Sequence, residues 1–338
     1  MSRDEALKFD LPSCPGCGGA VSQQLLEAPD RFHGRHRMYR LVRCSHCSLV
    51  WTQNPPHPSA AGDHYGTRYD QSVTWAGEDP ERWRGRCDVL RSYKPQPGAI
   101  LDLGCSAGGF LTCVKRMGWR CYGIEMSTAA ANLARSRAEA EVFVGDILDA
   151  PYAPESFDAI TCFHVLEHIY RPRDVLAKIS GWLKPGGVFY SMVPNIESAG
   201  AKLFGSYWYA LELPRHICHF SPRSFVLLGR SAGLEPALVE THREVFIEHS
   251  ARYILDSLFE RAGIVRTPLS DAKAPGIPFR MARKAFRLTV LPMLTAMASL
   301  AGDGESIHAI FRKPDVREGG PRRQDAAFSA AQFANHRD

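Results

Sequence analysis

The stretch Ile100-Leu101-Asp102-Leu103-Gly104-Cys105-Ser106-Ala107-Gly108-Gly109-Phe110-Leu111 decides the fold. A short apolar run ends in an acid, gives way to small residues and resumes as an apolar helix start. This is the pattern of a buried parallel strand feeding a tight loop and a helix N-terminus. Glycines let backbone approach a ligand closely, and the first N–H groups of a helix face whatever lies there. Ligands of open α/β sheets bind at the carboxyl ends of strands, so the stretch marks the expected cofactor corner.

Strand and helix alternate outward from this corner. Strands are expected at 99–103, 120–124, 141–144, 157–163, 188–193, 235–241 and 306–312. Helices are expected at 81–93, 107–117, 172–183, 222–232 and from Ser127, a good N-cap, to about 138. Sequential βα units predict an α/β, Rossmann-like, parallel doubly wound sheet of seven strands. Residues 194–220 read as an aromatic loop. Within it, Tyr207, Trp208 and Tyr209 suit either an acceptor wall or packing of the loop on the core. A helical insertion is expected over 251–301, before the last strand, and a charged, disordered tail over 314–338.

The N-terminal unit, 12–56, has a different character. Cys14-Pro15-Gly16-Cys17-Gly18 and Cys44-Ser45-His46-Cys47 are two C-x-x-C knuckles. Four thiolates in this arrangement suit a closed tetrahedral zinc ion, hence a structural zinc ribbon on Cys14, Cys17, Cys44 and Cys47. Gly18 supplies the backbone freedom that the turn needs after the second sulfur. Residues 57–98 read as a linker and helix, with Tyr65 and Tyr69 within ligand reach, and 99–313 as the main domain.

The corner alone leaves its cofactor open. Gly104-x-Ser106-x-x-Gly109 nearly matches a dinucleotide fingerprint but lacks the middle glycine, and Glu125 at the end of the second strand serves either class as a ribose acid. Five ordered motifs extend the pattern: Asp102-x-Gly104-x-Ser106-x-Gly108, then Glu125 and Asp146, the Phe157-Asp158 strand, Leu166-Glu167-His168, and Lys184-Pro185-Gly186-Gly187. Together they resemble the class I S-adenosylmethionine (SAM)-dependent methyltransferases over roughly 85–245. Ser106 departs from the glycine usual there. The resemblance implies that the Gly104–Gly108 loop, Cys105 and Ser106 included, approaches the methionine part of SAM, with Asp102 near its ammonium. Glu125, followed by Met126, would take the ribose hydroxyls. Asp146 would take the adenine amino group, Ile147 would lie against the ring, and His164 would flank the methionine end. SAM carries a diol, an amine and a sulfonium rather than phosphates, which suits carboxylates.

The knuckles, this core and Leu213-Pro214-Arg215-His216-Ile217-Cys218-His219-Phe220-Ser221-Pro222 also resemble a bacterial subgroup that modifies small molecules, sugars and components of surface glycans. His216 is the first choice as the base that deprotonates an acceptor hydroxyl, and His219 the second. His164-x-x-Glu167-His168 differs from a metalloprotease motif in order and context and is not read as a metal site. A SAM fold kept only as a scaffold is disfavoured by intact Asp102, Glu125 and Asp146. Two other readings also compete: an RNA methyltransferase that binds RNA through the knuckles, and a NAD-dependent sugar-modifying enzyme. Ser106 and Asp146 disfavour the second. Unclustered basic residues disfavour the first, so no nucleic-acid partner is expected.

Composition is that of an ordinary soluble chain: 338 residues, 45% apolar, 23% charged, net charge +5. The charge is too mild and too spread to argue for nucleic acid. The charged start has no apolar leader run, and six of the ten cysteines lie outside the knuckles without a disulfide spacing, so a reducing cytoplasm is expected. The uncharged run Leu288–Ala301, preceded by Arg280, Arg283, Lys284 and Arg287, is too short to span a bilayer. It suits capping or dimerisation, or peripheral contact with a membrane through 280–301.

Overall fold

The computed structural model describes residues 9–31, 35–60, 81–261, isolated positions between 281 and 293, and 304–315. The expectations for Tyr65, Tyr69, most of the 251–301 insertion and the tail beyond 315 lie outside these residues. Among the described residues no helix is long and apolar enough to cross a membrane.

Three strands open the chain: β1 (Ser22–Asp30), β2 (Arg35–Cys44) and β3 (Val50–Thr52). Helix α1 (Glu81–Tyr93) leads into β4 (Ala99–Leu103), α2 (Gly109–Arg116), β5 (Arg120–Glu125), α3 (Thr128–Ala138) and β6 (Glu141–Val144). Then come β7 (Phe157–Phe163), α4 (Pro172–Trp182), β8 (Leu183–Pro194), α5 (Ala199–Phe204), β9 (Cys218–His219), α6 (Pro222–Ser231), β10 (Glu235–His242), α7 (Phe246–Arg261) and β11 (Ser306–Arg312).

The large sheet has seven strands in the order β10-β11-β8-β7-β4-β5-β6. Strands β4 to β8 pair in parallel, but the sheet is mixed rather than parallel throughout, because β11 runs antiparallel between β8 and β10. The chain order reverses between β4 and β7, so the crevice above their carboxyl ends is the ligand position of a doubly wound sheet. All five residues of β4 are buried, as expected of a strand covered on both faces. Helix α4 shows how the covering layer forms. Pro172 sits in its first turn, where the missing N–H costs nothing, and Val175, Leu176, Ile179 and Trp182 make one buried stripe. Asp158 lies at the opposite end of the sheet from the crevice. It accepts from the Ala99 N–H at 2.9 Å and from Lys184 Nζ at 2.7 Å, which locks the amino ends of β4, β7 and β8.

Two glycines of the decisive stretch are required by close approach. Gly104 has φ 70°, and a Cβ there would come within 2.5 Å of Val165. Gly108 has φ 79°, and a Cβ would sit 2.7 Å from the Ala134 backbone, so α2 could not pack on α3. Ser106 also adopts a left-handed φ, 51°. This explains why glycine is usual at its position: an L-residue there costs about 1–2 kcal/mol.

The N-terminal strands form a second sheet, in the order β1-β2-β3-β9. Its fourth strand comes from the segment read as an aromatic loop: Val50 pairs with His219 and Trp51 with Cys218. The loop also holds α5 and two 3-10 turns, so it is more regular than its composition suggests. Its aromatic residues pack rather than line a wall. Trp208 is buried, Tyr207 Oη lies 3.2 Å from Ser257 Oγ of α7, and the Tyr209 ring lies tilted against those of His249 and Tyr253 of that helix. Strand β8 starts at Leu183, earlier than expected, and α7 starts at Phe246 rather than 251.

Candidate active site

The expected cofactor residues converge at the carboxyl ends of β4, β5 and β6. Glu125 ends β5 and is buried, and each carboxylate oxygen accepts a backbone N–H. Oε2 takes Ser106 N–H at 2.9 Å and Oε1 takes Ser127 N–H at 2.8 Å. One acid thus clamps the strained Ser106 turn and the start of α3, and each oxygen keeps a second lone pair for a ligand. Ser127 caps α3 by accepting the Ala130 N–H, as its sequence position predicts. Asp146 accepts the Leu148 N–H at 2.7 Å and caps the turn that holds Ile147, while Met126 projects with 71% exposure. Gly104 and Cys105 both donate N–H to Ile124 carbonyl, which pins the loop across β5.

Asp102 lies inside, beneath the loop. The Thr161 hydroxyl donates to its Oδ1 at 2.7 Å. Burial nevertheless pushes its carboxyl up to about 7, against the pull of Thr161 and of Arg86. Unfolded aspartate titrates near about 3.9. The folded protein therefore holds this proton more tightly, and the stability it contributes is complete below about pH 4 and lost as pH rises through about 7. Asp102→Asn keeps the acceptor for Thr161 and cannot ionise. Its melting temperature relative to wild type is expected to rise between about pH 5 and about pH 8. A difference that is constant across that range contradicts the assignment.

His164 follows β7 directly. Its φ is 56°, its N–H donates to the Met192 carbonyl at 2.9 Å, and its half-exposed ring turns Nδ1 toward Glu167 Oε1 at 3.3 Å. A non-glycine residue held in this backbone region stores about 1–3 kcal/mol and marks a position the surroundings over-determine. Glu167 is 1% exposed, and among the described residues neither of its oxygens has a well-aligned hydrogen bond. Burial raises its pKa, but His164, His168 and His216 pull harder and hold it at about 2.

His216 and His219 lie beyond β8, but inside the protein, 4% and 3% exposed. His216 Nδ1 lies 2.9 Å from the Ala210 carbonyl and Nε2 lies 2.9 Å from Glu212 Oε2, while Arg215 pairs with the same carboxylate. Burial pushes His216 down to about 4, and Glu167 and the hydrogen bond with the Ala210 carbonyl act in the opposite direction. His219 faces Thr52 Oγ1 at 3.4 Å, and burial pushes it to about 3. His168 Nδ1 lies 3.1 Å from the Arg215 carbonyl, and its ring meets that of His216 edge-on at 4.6 Å. The structure thus adds His216 to the Glu167-His168 pair: ligand atoms of the three lie within 4.8 Å of one another, a set able to hold a cation.

One basic residue at the crevice escapes a reading by motif. The Arg86 guanidinium of α1 lies 4.7 Å over the Trp83 ring and 4.9 Å over the Phe163 ring. Helix α1 reads as arginine-rich in the sequence, but nothing there singles out the position that reaches the strand ends.

The four knuckle cysteines also converge. Cys14 and Cys47 sulfurs lie 3.5 Å apart, as do those of Cys17 and Cys44, and all four lie within 4.8 Å of one another. A tetrahedral zinc with Zn–S of about 2.3 Å needs sulfur separations of about 3.8 Å. Gly19 and His46 N–H groups point at the Cys17 and Cys44 sulfurs at 3.4 Å, a donor pattern that suits thiolates. The two knuckles share one turn, with Gly18 left-handed after the first and Ser48 after the second.

A methyltransferase-domain family profile matches residues 75–239. The ubiquinone biosynthesis O-methyltransferase of Ralstonia nicotianae is 32% identical over 165 residues, spanning 45% of this chain and 69% of that protein. This chain belongs to the class I SAM-dependent methyltransferases. The enzyme of the same description from Xanthomonas campestris pv. campestris is 27% identical over 186 residues, covering 49% of this methyltransferase and 78% of its own length. Among solved structures, geranyl diphosphate C-methyltransferase of Streptomyces coelicolor A3(2) is 18% identical with a TM-score of 0.45, covering 78% of this chain and 89% of that one. The family span begins at residue 75, after the cysteine ribbon, so the ribbon is an addition to the methyltransferase unit.

Proposed function

We propose that this methyltransferase methylates a hydroxyl of a small-molecule acceptor, a class that includes sugars and glycan precursors, with His164 taking the hydroxyl proton. The observation that carries the reading is the His164–Glu167 pair at the carboxyl end of β7. Bound SAM supplies a methyl group made electrophilic by its sulfonium. The protein then has to align the acceptor and remove one proton. With Nδ1–H turned to Glu167, His164 keeps Nε2 free to accept that proton, and the buried carboxylate stabilises the imidazolium formed. His216 and His219, which the sequence favours as bases, lie behind Glu167 with their rings engaged, and in this reading they hold it in place. Oxygen as the methylated atom is supported by the Ralstonia and Xanthomonas relatives, both named O-methyltransferases.

On the cofactor side, Glu125 would hold the ribose hydroxyls, Asp146 and Ile147 the adenine, and Asp102 with the Gly104–Gly108 loop the methionine end. The methionine carboxylate needs a cation as well, and Arg86, whose charge reaches Asp102, is placed to provide it. The test is transfer of label from methyl-labelled SAM to a panel of catechol and sugar probes. A methyl ether supports the proposal. Labelling of amines or carbons, with none at a hydroxyl, contradicts it.

We also propose a structural zinc ion on Cys14, Cys17, Cys44 and Cys47. The hydrogen bond from Cys14 and then burial push the Cys47 thiol well above its ordinary value, so a cation is needed to keep four thiolates together. The full chain is expected to contain one zinc per molecule and to lose at least several degrees of melting temperature on chelation. A metal-free preparation with an unchanged melting curve contradicts the assignment.

A further inference from the structure

The ribbon lobe reaches the histidine site through one side chain. Thr52, the last residue of β3, is fully buried. Its N–H donates to the Ile217 carbonyl at 2.9 Å, and the Ile217 N–H donates to the Glu167 carbonyl at 2.7 Å. Its hydroxyl donates to the His216 carbonyl at 2.9 Å. A threonine hydroxyl has one proton, so toward His219 Nε2, 3.4 Å away, it can only accept. That contact requires the Nε2–H form of His219.

The surrounding contacts explain why the ribbon is suited to this task. The knuckle Cys44–Cys47 is the turn that joins β2 to β3, and the Cys44 N–H closes it on the Leu49 carbonyl. The register of Val50–Thr52 is therefore set at the sulfur cluster. Two further contacts tie the ribbon to the segment after β8. Arg43 pairs with Glu197 at 2.9 Å, and Arg31 donates to the Ser206 carbonyl at 3.0 Å with its guanidinium over the Tyr207 ring.

We infer that Thr52 is a positioning residue of the methyltransferase site: its hydroxyl fixes the His216 backbone and the Nε2–H tautomer of His219, and through them the ribbon holds Glu167 behind His164. This rests on the histidine site proposed above, but its first readout does not depend on it. Nitrogen-15 labelling of the histidines in the full chain reports each ring's tautomer by long-range proton–nitrogen correlation. At neutral pH wild-type His219 is expected to be neutral with its proton on Nε2. Thr52→Val should remove that preference and lower kcat about tenfold on whichever hydroxyl probe is methylated, with the KM for SAM unchanged, as for one lost hydrogen bond. Thr52→Ser should restore both.

A wild-type His219 protonated on Nδ1 overturns the inference without any variant, which keeps the test open if Thr52→Val fails to fold. A folded Thr52→Val with the wild-type tautomer and kcat overturns it as well. Failure of the His164 proposal would show separately, as a His164→Ala enzyme of full activity beside an unaltered His219 tautomer.

Discussion

Glu125→Ala is expected to weaken binding of S-adenosylhomocysteine by about two to four orders of magnitude. The carboxylate accepts Ser106 N–H at 2.9 Å and Ser127 N–H at 2.8 Å, and in the proposed complex it also takes the ribose diol. Hydrogen bonds to a charged group contribute about 1.5–3 kcal/mol each. Losing the two toward the ribose removes about 3–6 kcal/mol, and about 1.4 kcal/mol is a factor of ten. The loop suffers as well, because Ser106 has φ 51° and loses the acceptor that holds it there. Calorimetric titration of wild type and variant measures the ratio. An alanine variant that binds within threefold of wild type excludes Glu125 from the cofactor site.

The second large effect is at His164. His164→Ala is expected to lower turnover by about 10²–10⁴-fold, the usual contribution of a positioned general base, with S-adenosylhomocysteine affinity unchanged. In the proposed site Glu167 Oε1, 3.3 Å from Nδ1, favours the tautomer with its proton on Nδ1, which frees Nε2 to act as the base. His216→Ala provides the contrast. His216 Nε2 lies 2.9 Å from Glu212, which Arg215 also holds, and its charge acts on buried Glu167. Its removal should cost about 1–3 kcal/mol of stability, and turnover should fall less than in His164→Ala. Melting curves and rates on one preparation separate the two. A stable His216→Ala enzyme without activity would return the base to His216.

The methyltransferase unit was legible because its signals are local. Periodic apolar runs, the cap at Ser127, Glu125 at one strand end and Asp146 just beyond another all lie within a few residues of the structure they specify. The knuckles were legible for the same reason. What escaped depends on long-range pairing. Strand β1 contains Pro29, exposes three residues in a row, Gln23 to Leu25, and buries only Ala28 and Asp30, so it lacks a clean alternation. Cys218–His219 is a strand only because Val50–Thr52 lies beside it. The burial of His216 follows from that same pairing, and nothing near His216 in sequence announces it. Its approach to Glu167 and His168, and the reach of Arg86 across Phe163, are products of the tertiary fold.

In the proposed reaction a methyl group passes to a hydroxyl whose proton His164 removes. Transfer of label from methyl-labelled SAM to a hydroxyl probe, compared between wild type and His164→Ala at saturating SAM, tests it most directly. A methyl ether is expected from wild type, and a rate at least about 100-fold lower from the variant. Equal rates from the two, or label on nitrogen or carbon, would contradict it.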